Sequence, residues 1–124
     1  MISRDTNNGP LSPATLHILL ALAGGNLHGY GIIKEIRRSS DDQYRLGPGT
    51  LYDNLKKLME AGLVADAPQI SPAKRRSAAS KEDDRRFYTL TKEGKDALAA
   101  EVARLQNVVS EAKLRLQEAR PTRA

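Results

Sequence analysis

The chain has 124 residues, which is room for one compact domain and one further element, so a multidomain enzyme is excluded. Hydrophobic residues make up 40% of it and charged residues 28%, a balance typical of globular proteins and too apolar for a fully disordered chain. The formal net charge of +5 favours an anionic partner such as nucleic acid. Cysteine is absent, which excludes a disulfide framework and thiolate metal sites and fits a reducing cytoplasm.

The N-terminal part of the chain gives no sign of membrane insertion or export. The longest apolar run, Ile18–Ala23, has six residues, far fewer than the ~20 that span a bilayer. Residues 1–10 lack the apolar stretch of a signal peptide and are predicted to be a polar, disordered tail. We therefore expect a soluble, cytoplasmic protein without a membrane partner.

Two short helices are predicted first. Ser12 followed by Pro13 is typical of a helix start, because a serine hydroxyl caps free amides and proline is preset for the first helical position. The first helix then shows an apolar stripe and ends at Gly24; the stripe comprises Leu16, Leu19, Leu20 and Ala23. A second helix of about ten residues has its apolar positions at Tyr30, Ile32, Ile33 and Ile36.

A third helix is predicted after the break at Gly47–Gly49. Its apolar face ends at Gly62, a natural residue for the position after a helix, and comprises Leu51, Leu55, Leu58 and Met59. With about 100° between successive residues, the opposite face carries Gly49, Tyr52, Asp53, Lys56 and Lys57. We expect that face to be polar and exposed.

A β-hairpin with a long loop follows the third helix. Residues 63–67 form a short, mainly apolar segment, and residues 86–90 have the aromatic and β-branched content of a strand. The loop between them, residues 68–84, is longer than a minimal hairpin loop and rich in Ser, Ala, Pro and charge. From Ser71 to Tyr88 there are six basic and three acidic residues, so the local charge is positive.

Thr91 can cap a fourth helix, which is predicted to run to about Arg120, where Pro121 ends it; Gly94 is a mild weakness in its first turn. Apolar residues recur along it at spacings of four and three: Leu98, Val102, Leu105, Val109, Ala112 and Leu116. The stripe lasts under three heptads. Together with the small core, it favours packing between two subunits over folding onto its own domain.

The order of these elements predicts a winged helix-turn-helix fold over residues 11–90, mainly α with a small β-hairpin, followed by a dimerisation helix over residues 91–120. In this fold the third helix enters the major groove of DNA, and the hairpin, or wing, flanks the backbone. Basic residues cluster around the wing at Lys74, Arg75, Arg76, Lys81, Arg85 and Arg86. A charged loop is often only solvated, but this clustering favours contact with double-stranded DNA.

Three ordered motifs in the chain resemble those of the PadR family of bacterial transcriptional regulators. They are His28–Ile32, then residues 49–52 with Leu55, Leu58, Gly62 and Leu63, then Arg86–Gly94. The resemblance covers roughly residues 11–116 and implies a homodimeric repressor whose winged helix binds a palindromic operator and whose C-terminal helix dimerises. It also implies that the first helix contributes to the dimer interface.

These observations give two sets of candidate residues. The candidate DNA-binding residues are Gly49, Thr50, Tyr52, Lys56, Lys57, Arg75, Arg76, Arg85 and Arg86. The candidate dimerisation residues are Leu16, Leu20, Leu98, Val102, Leu105, Val109 and Leu116. The resemblance further implies a small-molecule effector near the dimer interface, often aromatic or planar. The predicted fourth helix has no aromatic residue, so that helix supplies no aromatic side chain for such a pocket.

Two tyrosines have alternative interpretations. Tyr52 is either a contact to a phosphate or base, which the resemblance and its neighbours Thr50 and Lys56 favour, or a rim residue without a partner. Tyr30 lies in an apolar pattern, which favours core packing over contact with DNA.

No cofactor, metal site or enzymatic activity is predicted. The two histidines, His17 and His28, are joined by no acidic or cysteine cluster of the kind that holds a metal. The chain has no cysteine nucleophile and no Gly-x-Ser-x-Gly motif. The Gly29–Gly31 segment lacks the third glycine of a dinucleotide-binding loop and the strand that precedes it.

The alternative to a DNA-binding regulator is a winged-helix module that binds another protein through the third helix. The dependence of affinity on salt concentration distinguishes the two functions. When DNA binding neutralises Z phosphates, the logarithm of the affinity falls with the logarithm of the salt concentration with a slope of about −0.9Z. A dimer making ~6 phosphate contacts would have a slope near −5, whereas a protein partner would give a much shallower dependence.

Overall fold

The computed structural model describes residues 10–67 and 86–123, with side chains as far as residue 118. Its elements in chain order are α1 (Pro13–Ala23), β1 (Leu27–His28), α2 (Gly29–Ser39), α3 (Pro48–Glu60), β2 (Val64–Ala67), β3 (Phe87–Leu90) and α4 (Lys92–Arg123). The prediction of a mainly helical winged-helix fold with a long C-terminal helix is confirmed. The predicted loop between β2 and β3 lies outside the described residues.

The sheet has one more strand than the sequence predicted. Strand β3 lies in the middle of the order β1-β3-β2, and both pairings are antiparallel. Strand β1 pairs Leu27 with Tyr88 and His28 with Phe87, in a segment for which the sequence predicted no strand. Two residues are too few to show the alternation of a strand, so this pairing depends on the free edge of β3.

Side-chain caps begin two of the helices where the sequence predicted them. The Ser12 hydroxyl accepts from the amide of Thr15 at 3.2 Å, and the Thr91 hydroxyl accepts from the amide of Gly94 at 3.0 Å. Gly62 follows α3 with φ of 82°, a left-handed conformation that glycine adopts without steric cost. These helix ends can therefore be predicted from residue types alone.

The apolar face predicted for the first helix is confirmed at Leu19 and wrong at Leu20 and Ala23. Ile18, Leu19 and Leu22 are the large residues that α1 buries in the core, whereas Leu20 is 44% exposed and Ala23 is exposed. Every residue from position 18 to position 23 is apolar, so periodicity alone cannot select the buried side. Packing against α2, α4 and β3 decides which side is buried.

Gly94 is a requirement of the fold rather than a weakness in α4. A Cβ at this position would lie 2.7 Å from the Leu90 Cδ1 atom and 3.1 Å from the Leu63 carbonyl carbon, and closer still to the Leu63 carbonyl oxygen. Atoms of the main chain cannot give way as the end of a side chain can. The missing side chain therefore lets the first turn of α4 lie directly against the chain that enters β2.

Helix α4 ends later than predicted. Its assigned helix continues to Arg123, whereas the prediction stopped it near Arg120 at Pro121. A proline removes only one helical hydrogen bond, and the last turn of α4 continues past it.

Glu101 is a buried carboxylate on α4, only 4% exposed. Arg104 donates to it at 2.6 Å, and the backbone amide of Leu11 also donates to it. The hydrogen bond from Arg104 holds the pKa of Glu101 below its usual value, against the opposing effect of burial. The residue thus ties the start of α1 to the long helix.

We expect Gly94→Ala to lower the free energy of unfolding by about 1 to 3 kcal/mol, the usual cost of forcing atoms into a packed site. Urea unfolding followed by circular dichroism measures it. Gly49→Ala is the matched control, since a Cβ there meets nothing within 4 Å and alanine favours a helix by up to about 1 kcal/mol. Equal stabilities of the two variants would contradict this account of Gly94.

Glu101 should steepen the loss of stability in acid. Because its folded pKa is lowered, its contribution is present above the pKa of an unfolded glutamate, about 4.3, and is lost as pH falls through the folded pKa. The free energy of unfolding in urea is measured from about one pH unit below the pKa of an unfolded glutamate up to neutral pH. For Glu101→Gln it should fall less steeply in acid than it does for the wild type. Glu111→Gln, which removes an exposed carboxylate paired with Arg115, should keep the wild-type profile; identical profiles for all three proteins would refute the role of Glu101.

Candidate nucleic-acid interface

Helix α3 presents one face to the core and the other outward. Leu51, Leu55 and Leu58 are 0%, 1% and 6% exposed, and they anchor the helix against the rest of the domain. The predicted DNA-binding residues of this helix are all on its exposed side: Gly49, Thr50, Tyr52, Lys56 and Lys57. The structure therefore brings these five candidates together on one surface.

The two lysines of this surface differ in their partners. The Lys57 ammonium lies 3.6 Å from the Asp53 carboxylate, one helical turn earlier. Within the described residues Lys56 has no hydrogen bond or ion pair. Lys56 is therefore the cation of α3 that can approach a phosphate or a base without giving up a partner.

Arg86 stands at the base of the hairpin, immediately before β3. Its guanidinium donates to the Asp66 carboxylate of the neighbouring strand at 2.7 Å and lies 6.0 Å from the centre of the Tyr88 ring. The hydrogen bond that Arg86 donates to Asp66 is the main reason why the pKa of Arg86 is raised. The pair is exposed, so it fixes the direction of the side chain more than it adds stability.

A cleft of about 470 Å³ joins α3 to the base of the hairpin. Its lining residues are Tyr52, Leu55, Lys56, Met59, Glu60, Arg86 and Tyr88. Burial raises the pKa of the Tyr88 phenol, which is 4% exposed and forms the floor. Candidates from two parts of the sequence, Tyr52 and Lys56 on α3 and Arg86 just before β3, thus border one surface. Arg75, Arg76 and Arg85 lie outside the described residues.

The motif His28–Tyr30 positions the start of α2. His28 Nδ1 accepts from the amide of Gly31 at 3.1 Å, and its ring meets the Phe87 ring edge-on at 5.3 Å. Tyr30 is 57% exposed, with the Lys34 ammonium 5.5 Å from its ring centre, so the prediction that Tyr30 packs in the core is wrong. Ile32 and Ile36 occupy the buried side of α2, and Tyr30 points away from it.

The apolar stripe of α4 divides into a buried and an exposed part. Leu98 is 9% exposed and belongs to the core of its own chain, and Leu105 is half-buried. Val102, Val109 and Leu116 are 42%, 50% and 70% exposed. On α1, Leu20 is exposed and Leu16 half-buried. Val102 and the part of the stripe beyond Leu105 are therefore apolar surface that the described part of the chain leaves at least partly uncovered.

The described residues offer neither a membrane-spanning helix nor a metal-binding cluster. No described helix is both long and apolar enough to cross a membrane. Residues 10–67 and 86–123 also contain no group of three or more His, Cys, Asp and Glu side chains placed to hold a metal ion.

Comparisons with known proteins agree on one family. Residues 18–100 match the transcriptional regulator PadR-like family. Transcriptional regulator Rv3488 from Mycobacterium tuberculosis is 30% identical over 96 residues, which cover 77% of this chain and 78% of the relative. A PadR family transcription regulator from Clostridium difficile has a TM-score of 0.66 and 23% identity over 85% of this chain and 99% of that one. Bacillus subtilis PadR in complex with operator DNA has a TM-score of 0.58 and 25% identity over 73% of this chain and 46% of that one.

Proposed function

Because this chain belongs to the PadR-like family of transcriptional regulators, we propose that it is a sequence-specific DNA-binding repressor that acts as a homodimer on a palindromic operator. The observation that carries the proposal is the exposed face of α3, where Tyr52 borders one cleft with Arg86 and with Lys56, which has no ion pair within the described residues. The operator DNA bound to the Bacillus subtilis neighbour supports it.

In the proposed complex, α3 lies in the major groove and the hairpin lies along the backbone. Gly49 and Thr50 lie in the first turn of the helix, where small side chains allow a close approach to DNA. Lys56 reaches a base edge or a phosphate, and Arg86 contacts a phosphate at the base of the wing. Arg75, Arg76 and Arg85 are proposed as further phosphate contacts, and such contacts set register without reading sequence.

The homodimer follows from the limited reach of one winged helix. Two copies related by a twofold axis can read half-sites about 34 Å apart. The exposed apolar part of α4, from Val102 to Leu116, is the surface proposed to meet its counterpart. Leu16 and Leu20 are proposed to extend this interface, and Leu98 supports it from within its own core.

A cytoplasmic location and a small-molecule effector complete the proposal. Operator DNA is the partner that the protein must reach, which fits a cytoplasmic regulator without a membrane partner. An effector would be recognised by its ability to lower operator affinity. The described side chains of α4 include no aromatic group, so residues of other elements would supply any stacking contact.

Operator binding can be tested without knowing the regulated gene. Duplexes selected in vitro from a random pool supply the operator, and fluorescence anisotropy then compares the selected duplex with a scrambled one at several salt concentrations. We expect a log-log salt slope near −5, which corresponds to ~6 phosphate contacts. Failure to enrich any duplex, or equal affinity for both duplexes, would reject the proposed function and favour a protein-binding module.

Lys56→Ala should weaken binding to the selected duplex by about 1 to 3 kcal/mol, as expected for loss of a base contact. Lys57→Ala is the matched control, because its ammonium is already shared with Asp53 and its loss should cost less. Anisotropy titrations of both variants, checked for folding by circular dichroism, measure the difference. A larger loss for Lys57→Ala would show that the ion pair does not decide which lysine contacts DNA.

Val109→Asp should convert the protein from dimer to monomer, because an unpaired carboxylate is costly to bury between two subunits. Val109 is half exposed in the single chain, so the change should leave the fold intact. Leu114→Asp is the matched control, since Leu114 is equally exposed but lies on the other side of α4. Sedimentation velocity at micromolar concentration measures both; a dimeric Val109→Asp protein would show that this face is not the interface.

A further inference from the structure

Gly29 is the buried first residue of α2 and lies against the Tyr52 side chain of α3. A Cβ at Gly29 would lie 2.7 Å from the Tyr52 Cζ atom and 3.1 Å from its Cε1 atom, with the hydroxyl oxygen closer still. Carbon atoms in proteins do not approach at such distances without one of them moving. The space left by the missing side chain is therefore occupied by the phenol of Tyr52.

The backbone gives no other reason for glycine at this position. The glycines with positive φ are Gly25 and Gly62 within the described residues, and Gly29 is not among them. Its neighbour Gly31 differs in its surroundings, because a Cβ there would make an ordinary contact at 3.4 Å with Leu27. The role of Gly29 is therefore to make room, and the group that fills the room is Tyr52.

The contact also decides which atoms would move on substitution. Tyr52 is 49% exposed, and the atoms next to Gly29 are at the far end of its flexible side chain. A methyl group at position 29 would displace the phenol toward solvent and leave the backbones of α2 and α3 in place. The displacement would change where the hydroxyl lies on the proposed DNA-facing surface without unfolding the domain.

We propose that Gly29 is a positioning residue that holds the Tyr52 hydroxyl where α3 meets DNA, an inference that rests on the proposed function. The phenol has one side against the start of α2 and another toward the cleft with Lys56 and Arg86. The contact with Gly29 restricts the rotamers of the Tyr52 ring before DNA binds. Preorganised groups lose less entropy when they contact a ligand. Gly29 thus acts on operator affinity through Tyr52 and not by touching DNA itself.

A double-mutant cycle tests the inference on the full-length protein and the selected duplex. Gly29→Ala should weaken operator binding by about tenfold, the scale of one lost specific contact, while Gly31→Ala should bind as the wild type does. In a Tyr52→Ala background, Gly29→Ala should have no further effect, because the side chain it displaces is gone. Circular dichroism melts should show that all four proteins stay folded.

A measurement without DNA separates this inference from the proposed function. In NMR spectra of the free protein, the ring signals of Tyr52 should shift in Gly29→Ala and stay in place in Gly31→Ala. Unshifted ring signals in Gly29→Ala, or a binding loss that persists in the Tyr52→Ala background, would overturn the positioning role. Normal operator binding by Tyr52→Ala together with a defect in Lys56→Ala would also overturn it, and would leave the DNA-binding function standing.

Discussion

The arrangement of this molecule depends on the close approach of α4 to the backbone of Leu63, which only a glycine at position 94 permits. Thr91 completes the junction, since its hydroxyl donates to the carbonyl of Gly62 and accepts from the amide of Gly94. Its own amide donates to the Leu63 carbonyl at 3.1 Å. Gly62 and Leu63 directly follow α3 and lead into β2. One junction therefore fixes the long helix relative to both the helix and the hairpin proposed to meet DNA.

That rigidity matters because the proposed operator has two half-sites. If α4 joins two copies, the distance between the two α3 helices is set by how firmly each α4 is attached to its own domain. Burial of Leu98 and the hydrogen bonds of Glu101 extend the attachment along the first turns of the helix. Beyond Leu105 the apolar stripe continues without cover from the described chain. The same stripe thus changes from an internal contact to an available surface along one helix.

The basic side chains of the proposed interface differ in whether a carboxylate pairs with them. Lys57 is shared with Asp53 and Arg86 with Asp66, whereas Lys56 has no such partner within the described part of the chain. The paired carboxylates cost little to displace, because exposed ion pairs contribute on the order of 0 to 1 kcal/mol. Each carboxylate nevertheless orients the basic side chain with which it pairs before DNA binds. A surface of this kind combines one uncommitted cation with others that are already oriented.

The sequence by itself determined the helices, the side-chain caps of α1 and α4, the winged-helix order and the outward face of α3, because these depend on local residue types and on one clear helical period. It did not determine which side of α1 is buried, since six consecutive apolar residues show no period. Nor did it reveal that Tyr30 is exposed, that Leu98 belongs to the core, or that Gly29 and Gly94 make room for Tyr52 and Leu63. Those contacts join residues far apart in the chain, so only tertiary packing, which brings distant atoms within a few ångströms, could decide them.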